Sequence, residues 1–250
     1  MAISRAQLLK ELLPGLNALF GMEYARYDDE HSDIYETASS DRSFEEEVKL
    51  SGFDAAPVKD EGSAISYDAA QESFTARYNH ETIAMGFAIT EEAMEDNLYD
   101  SLSARYTKAL ARAMAHTKQV KAVVPLNNGF TAAYQSGDGV NLFTADGDGV
   151  TGGDGHPLVS GGKNSNRPAT AVDLNETSLE AAVIQIGKWT DERGLMIAAR
   201  PQTLVIPPDL QFVATRVMKS ELRPGTADND VNAVRTMGVV PGGTVVNHYL

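Results

Sequence analysis

Gly147-x-Gly149-x-x-Gly152 satisfies the letters of a dinucleotide-binding fingerprint. That chemistry needs a strand before the glycines and a helix N-terminus after them, where the pyrophosphate binds. Here Gly153, Asp154, Gly155 and Pro157 follow, a run that cannot open a helix. Ser160–Ser165 (SGGKNS) evokes a phosphate loop, but no glycine lies five residues before Gly162, and Asn164 replaces the needed Ser or Thr. Asp146 and Asp148 have the first two spacings of a calcium loop, yet Val150 stands where a third oxygen ligand belongs and the position-12 carboxylate is missing. His80-Glu81 resembles the start of a zinc-protease helix, with Ala84 where the second histidine should be. His31, His116, His156 and His248 show no ligand spacing, and no GxSxG elbow occurs. Glu45–Glu47 offers three carboxylates in a row, but neighbours on a strand face opposite ways, so a solvated face is the better reading than an acid–base pair. No catalytic, cofactor-binding or metal-binding residue is assigned, and the near-empty inventory favours a structural role.

Composition narrows the class further. The 250 residues carry 21 Lys and Arg against 35 Asp and Glu, a formal charge of −14, which argues against gripping nucleic acid through phosphates. The chain has no cysteine, so thiolate chemistry and disulfides are excluded. No apolar run approaches the ~20 residues that span a bilayer, and the N-terminus, MAISRAQLLKELLPGL, does not have the layout of a secretion signal.

The stretch around which the remaining elements are arranged is 90–124. Met94, Leu98, Leu102, Tyr106, Ala109, Ala113 and Val120, with Leu110 and Met114 alongside, draw one stripe down a helix. Thr90 is a good N-cap; Glu91, Glu92, Glu95 and Asp96 load the first turns, and His116, Lys118 and Lys121 the far end, each opposing the helix dipole. At 1.5 Å per residue such a helix is roughly 48 Å long, about the diameter expected of a compact chain of this size. It reads as a spine.

Before it, Ser4–Leu13 is a short amphipathic helix with a Ser4/Gln7 capping box, stopped by Pro14-Gly15. Asp28 to Glu47 is acidic and reads as an extended, solvated arm. Phe44–Leu50 and Glu72–Ile89 read as strands around a polar loop, 52–66. The second arm alone would reach roughly 55–60 Å, so the hairpin must bend or project, and a projecting hairpin exposes strand edges that a partner has to cover. After the spine, 125–167 is a Gly-, Asp- and Asn-rich irregular insertion. Asn175 or Thr177 caps a helix with Leu179, Ala182, Val183 and Ile186 on one face, Trp189 near its end and Gly194 as its close. Thr203–Ile206 is a strand; Pro207-Pro208 opens a helix through Leu222 with Leu210, Val213 and Val217 inward. Asp228–Met237 reads as loop, and Thr244–Leu250 as a last strand.

This order of parts resembles the major capsid (major head) proteins of tailed bacteriophages, with the Hong Kong ninety-seven-type capsid fold, in the style of the Mu-like major head subunits. The pieces that carry the resemblance are Phe87–Tyr99, Leu142-Phe143 leading to His156-Pro157-Leu158, and Ile197–Pro208 before a helix. The resemblance implies an α+β chain with an N-arm at 1–42, an extended hairpin or E-loop at 43–89 lying across a neighbour, a spine helix at 90–124 in a peripheral domain, and a mostly axial domain at 125–250. It implies no enzyme activity and no cofactor. Identical copies would form hexamers and pentamers of an icosahedral head enclosing double-stranded DNA without specific binding, with scaffolding, portal and decoration proteins as partners, in the virion after assembly in the host cytoplasm. Some relatives crosslink an E-loop lysine to a neighbour's asparagine; Lys49 and Lys59 are the lysines of this hairpin, and no motif names a partner. Family members usually run on past a strand such as Thr244–Leu250 to finish the peripheral sheet; here that return is absent from the sequence, so either the chain continues beyond Leu250 or this variant closes its sheet differently. The alternatives are an encapsulin-like nanocompartment shell and a nucleotide-binding enzyme using the 147–162 loop.

Overall fold

A long helix, Tyr99–Asn128 (α2), runs for 30 residues through the middle of the chain. The computed structural model describes residues 5–88, 90, 99–146, 155–223 and 230–250. The expected N-cap Thr90 precedes 91–98, and Glu91, Glu92, Met94, Glu95, Asp96 and Leu98 lie outside the described residues. The chain divides into two compact units, Met1–Thr37 with Glu81–Val123 and Ala38–His80 with Val124–Leu250.

In the smaller unit the first helix, Arg5–Tyr24 (α1), passes straight through Pro14-Gly15 instead of stopping there. The sequence-level stop fails because those two residues are only two positions in a 20-residue run, and neighbouring turns carry the helix past the missing N–H. The buried line on α2 is also not the expected one. Ser103, Thr107, Ala111, Ala115, Gln119 and Val123 are buried, every fourth residue, whereas Tyr106 and Val120 are exposed. A step of four overshoots one helical turn by about 40°, so this line winds slowly round the helix. Its members are small or polar apart from Val123. The polar ones are satisfied within the fold: Thr107 Oγ1 donates to Ser103 O at 2.8 Å, and Gln119 accepts from His31 N at 3.2 Å while donating to Asp28 O and Asp29 Oδ1.

The acidic arm is accordingly less solvated than its composition suggests. Lys118 Nζ lies 2.9 and 3.1 Å from the two oxygens of Asp29, and His31 is buried in a 3-10 turn, Glu30–Asp33. Glu81 pairs with Lys121 at 2.6 Å; that hydrogen bond and charge hold the exposed Glu81 carboxyl below its usual range.

The larger unit begins with the antiparallel pair Phe44–Leu50 (β1) and Glu72–Asn79 (β2), which agrees with the expected first strand and shortens the second by ten residues. The 125–167 insertion starts later than expected because α2 continues through Pro125 to Asn128, where the Asn128 side chain donates to Val124 O at 3.1 Å. A two-residue pair, His156–Pro157 (β3) with Lys163–Asn164 (β4), sits inside the insertion. Glu176–Gly187 (α3) has Asn175 as N-cap, with the reciprocal Ser178 bond. It ends well before Gly194, whose φ of 82° instead closes a turn in which its N–H bonds Asp191 O. Leu204–Ile206 (β5) pairs in parallel with Thr244–Val246 (β6). Between them Gln211–Lys219 (α4) is shorter than expected, and Ala233–Met237 (α5) is a helix where a loop was expected.

That last helix exists because of one buried side chain. Asn232, without exposure, caps α5 through Arg235 N and donates to Val217 O at 2.7 Å and Ser220 O at 3.1 Å, stopping α4 and starting α5 at once. Leu179, Val217 and Val234 form the apolar cluster beside it, with Val213, Met218 and Val239.

Two predictions follow from these packing patterns. Asn232→Ala strands two carbonyls and a cap, and is expected to cost about 2 kcal/mol or more, against about 1 kcal/mol for Asn175→Ala at the more exposed cap; urea unfolding ranks the two, and the reverse order contradicts the assignment. Ala111→Leu is expected to destabilise by about 1–3 kcal/mol through overpacking, while Val120→Thr stays within about 0.5 kcal/mol; thermal melts followed by circular dichroism compare them.

Candidate assembly surfaces

The β1–β2 hairpin is the part of the larger unit least able to satisfy itself. Phe44, Glu46 and Val48 share one face with Thr75 and Arg77; Glu45, Glu47, Phe74, Ala76 and Tyr78 share the other. The second face is laid on its own unit. Gly137 makes this approach feasible, since a Cβ there would come within 2.8 Å of the Phe74 ring and 3.1 Å of Ala76. A cleft of about 800 Å³ runs beside this contact, lined by both strands, Pro125, Tyr134 and Leu142. The first face stays open to solvent. Arg77 stacks 4.0 Å over Phe44 and pairs with Glu46 at 2.8 Å, and strand alternation sets Glu46 on the opposite face from Glu45 and Glu47, with Glu45 turning to Ser40.

Beyond Leu50 and Glu72 the ladder gives way to a neck. Ser51, almost fully buried, donates its N–H to Gln71 O at 2.8 Å and accepts Gln71 N on Oγ at 2.9 Å. Asp68 accepts Asp54 N at 2.7 Å and Ala69 N at 2.8 Å. These two N–H donors, with the Arg193 charge behind them, hold the exposed Asp68 carboxyl below its usual range. Arg193 donates from Nε to Gly52 O at 3.2 Å and from Nη2 to Ala69 O at 2.8 Å, with Asp54 3.6 Å from Nη1. Its neighbour Glu192 is buried and pairs with Lys49, the residue at the register break in β1. The hairpin root is therefore fastened to its own unit. Its far loop is not: Val58 is 94% and Tyr67 93% exposed, with Phe53 and Ile65 also open.

A second apolar surface lies on the turn that carries Arg193. The bridge between Thr190 and Met196, and two N–H groups on Asp191 Oδ1, hold the turn rigid. It presents Leu195, Met196 and Ile197 to solvent, and Phe212 on α4 and Met237 on α5 are each more than 70% exposed. Contiguous exposed apolar side chains of this kind mark places where another protein surface is buried.

The motifs weighed for chemistry are scattered. Gly147, Asp148, Gly149, Val150, Gly152, Gly153 and Asp154 lie outside the described residues. Ser160–Ser165 forms the turn and second strand of the β3–β4 pair, with no helix behind it. Asp146 faces Lys163 at 3.7 Å, and His156 Nδ1 lies 2.6 Å from Asp138. His80-Glu81 is extended chain, and Lys59 sits exposed on the loop. Among the described residues no cluster of three or more His, Asp or Glu is arranged to hold a metal, and no helix is long and apolar enough to cross a membrane. Arg193, Glu192 and Asp68 carry no signal of this role in the local sequence, because each is defined by its non-local contacts.

A family model described as phage capsid protein matches residues 73–250, more than half of the chain. Solved structures with the same fold include the procapsid of bacteriophage JBD30, with a TM-score of 0.62, 16% identity, and coverage of 99% of this chain and 100% of that one. The JBD30 capsid decorated with minor capsid protein trimers matches at a TM-score of 0.56 and 17% identity, over 90% of this chain and 95% of that one. No curated protein matches. A mixed helix-and-strand fold shared with capsid shells, large apolar groups left on a hairpin loop and a rigid turn, and the family match together identify this chain as a structural capsid subunit that belongs to the phage capsid protein family.

Proposed function

We propose that this chain is the major head subunit of a tailed phage, closing as hexamers and pentamers into an icosahedral shell around double-stranded DNA. The observation that carries this reading is the family match over 73–250 combined with a hairpin whose root is fastened and whose loop is left apolar and open. In this reading residues 1–42 are the N-arm, 43–89 the E-loop that lies across a neighbour, 90–124 the spine of a peripheral domain, and 125–250 mostly the axial domain, with the Hong Kong ninety-seven-type arrangement. The JBD30 capsid's minor protein trimers support decoration proteins as partners here; scaffolding and portal proteins, and assembly in the host cytoplasm, complete the proposal. The role is structural, without a catalytic step or a cofactor. The capsid family favours the phage head over an encapsulin-like compartment, and packaged DNA rather than a cargo enzyme separates the two.

The charge of −14 suits a wall that encloses DNA without gripping it. An isolated subunit is accordingly expected to show no tight, salt-sensitive DNA complex.

Negative-stain imaging of the purified chain, with scaffold where needed, is expected to show rings or closed shells. A monodisperse monomer under every assembly condition overturns the reading. Removing residues 1–20 is expected to leave the helical signal of the core intact while lowering shell yield. Circular dichroism with sedimentation measures both, and an unchanged yield shows the N-terminal helix to be dispensable. A thermal-shift screen with nucleotides and divalent ions is expected to move the midpoint little; a large stabilisation revives the enzyme alternative.

A further inference from the structure

We propose that Arg193 and Asp68 form a clamp that sets the direction of the 54–68 loop before another copy is met, so that assembly docks a pre-oriented loop. The proposal rests on the shell reading and adds to it the residues that position the contact.

The loop has little of its own to hold it. Its internal bonds at 55–67 are the local turn in which Ser63 N and Oγ both donate to Asp60 O, and its large side chains point to solvent. Its direction must come from the neck. There the β1–β2 ladder has ended, and the two arms are joined by side chains. Asp68 spans them, bonding Asp54 N on one arm and Ala69 N on the other. Arg193 spans them again, with one guanidinium nitrogen on Gly52 O and another on Ala69 O. A planar fork of donors reaches two carbonyls at once, which a lysine ammonium on a flexible stem does less well.

The clamp is itself rigidly mounted. Arg193 N and Leu195 N both bond Asp191 Oδ1, Asp191 N bonds Leu195 O, and the Arg193 side chain is only 11% exposed. Next to it, buried Glu192 takes Lys49 at the register break, so adjacent residues of one turn hold both the ladder's end and the neck beyond it. The charged groups facing Arg193 are Asp54 and Asp68, both acidic. Fixing a loop before binding removes ordering entropy from the association step, and the fixed loop ends in side chains with nothing else to cover them.

The absence of cysteine makes a direct test practical. Val58→Cys and Thr215→Cys place one spin label on the exposed loop and one on the exposed side of α4, both in the larger unit. Pulsed dipolar spectroscopy of the full-length labelled chain is expected to give one narrow distance distribution. Arg193→Ala should broaden it and slow particle formation, followed by light scattering at fixed subunit concentration, by about tenfold; Arg193→Lys should fall between. Circular dichroism melts establish that each variant is folded. Asp68→Asn, an exposed change that removes the carboxylate charge from the neck, provides a second variant should Arg193→Ala fail to fold, and it is expected to broaden the distribution in the same way. If the unlabelled parent chain forms no particles while the labelled chain's distances are narrow, the shell reading is at fault; particle formation is therefore compared between unlabelled chains. If the parent assembles and the folded variants keep both its distance distribution and its rate, the clamp is overturned.

Discussion

Asn232 has no exposed surface, and its carboxamide donates to the carbonyls of Val217 and Ser220 while its oxygen caps the next helix. The same device recurs through the larger unit. Asn166 accepts Thr144 N at 2.8 Å and donates to Leu142 O at 2.7 Å; Asn141 donates to Phe130 O; Asn164 donates to Thr190 O. Asn141, Asn232, Asn247 and Thr144 are among the largest side chains fully withdrawn from solvent, in company with Val123 and Val234. Irregular backbone leaves donors and acceptors that secondary structure would otherwise pair, and a buried group without a partner is costly. Carboxamides, with two donors and an acceptor each, can meet that requirement, as Asn166 and Asn232 do by both accepting and donating.

An interior organised by carboxamides and short side chains leaves many large apolar groups elsewhere. Val58, Tyr67, Met196, Phe212 and Met237 are on the surface. A monomeric enzyme would normally bury such groups or gather them around a substrate pocket; here they lie on a hairpin loop, a rigid turn and two short helices. For a capsid subunit the distribution is coherent, because area withheld from the subunit's own core is available to its neighbours. The hairpin shows how the two demands are reconciled. Its root is fixed by Gly137, Ser51, Asp68, Glu192 and Arg193, while its first face and its far loop are left open.

Several elements were readable from local chemistry alone. Phe44–Leu50 is a strand as its composition suggests, Asn175 caps the helix that follows it, and Pro207-Pro208 opens a helical segment. The errors share a cause. Pro14 and Pro125 read as boundaries in the sequence, yet both helices continue through them, because the surroundings of a helix override a single unfavourable residue. Apolar size and spacing put the stripe through Tyr106 and Val120, whereas the fold buries the four-spaced line Ser103, Thr107, Ala111, Ala115, Gln119 and Val123 beside it. α5 reads as loop because five residues carry too little periodicity to register, and what defines it is a contact from Asn232 to Val217, 15 residues away.

Much of the protein's class was legible before folding: its acidity and its lack of any complete catalytic motif favour a structural role, and the order of arm, hairpin, long helix and irregular insertion resembles phage capsid proteins, the family whose model matches residues 73–250. Only the tertiary structure decided which side chains hold the hairpin. Arg193 lies 124 residues from Ala69 and 141 from Gly52 along the chain, and nothing in the identity of an arginine says which distant carbonyls it will reach. That choice is made when the 190–196 turn and the neck are brought together, because hydrogen bonds are decided by distance and direction in space rather than by separation along the backbone.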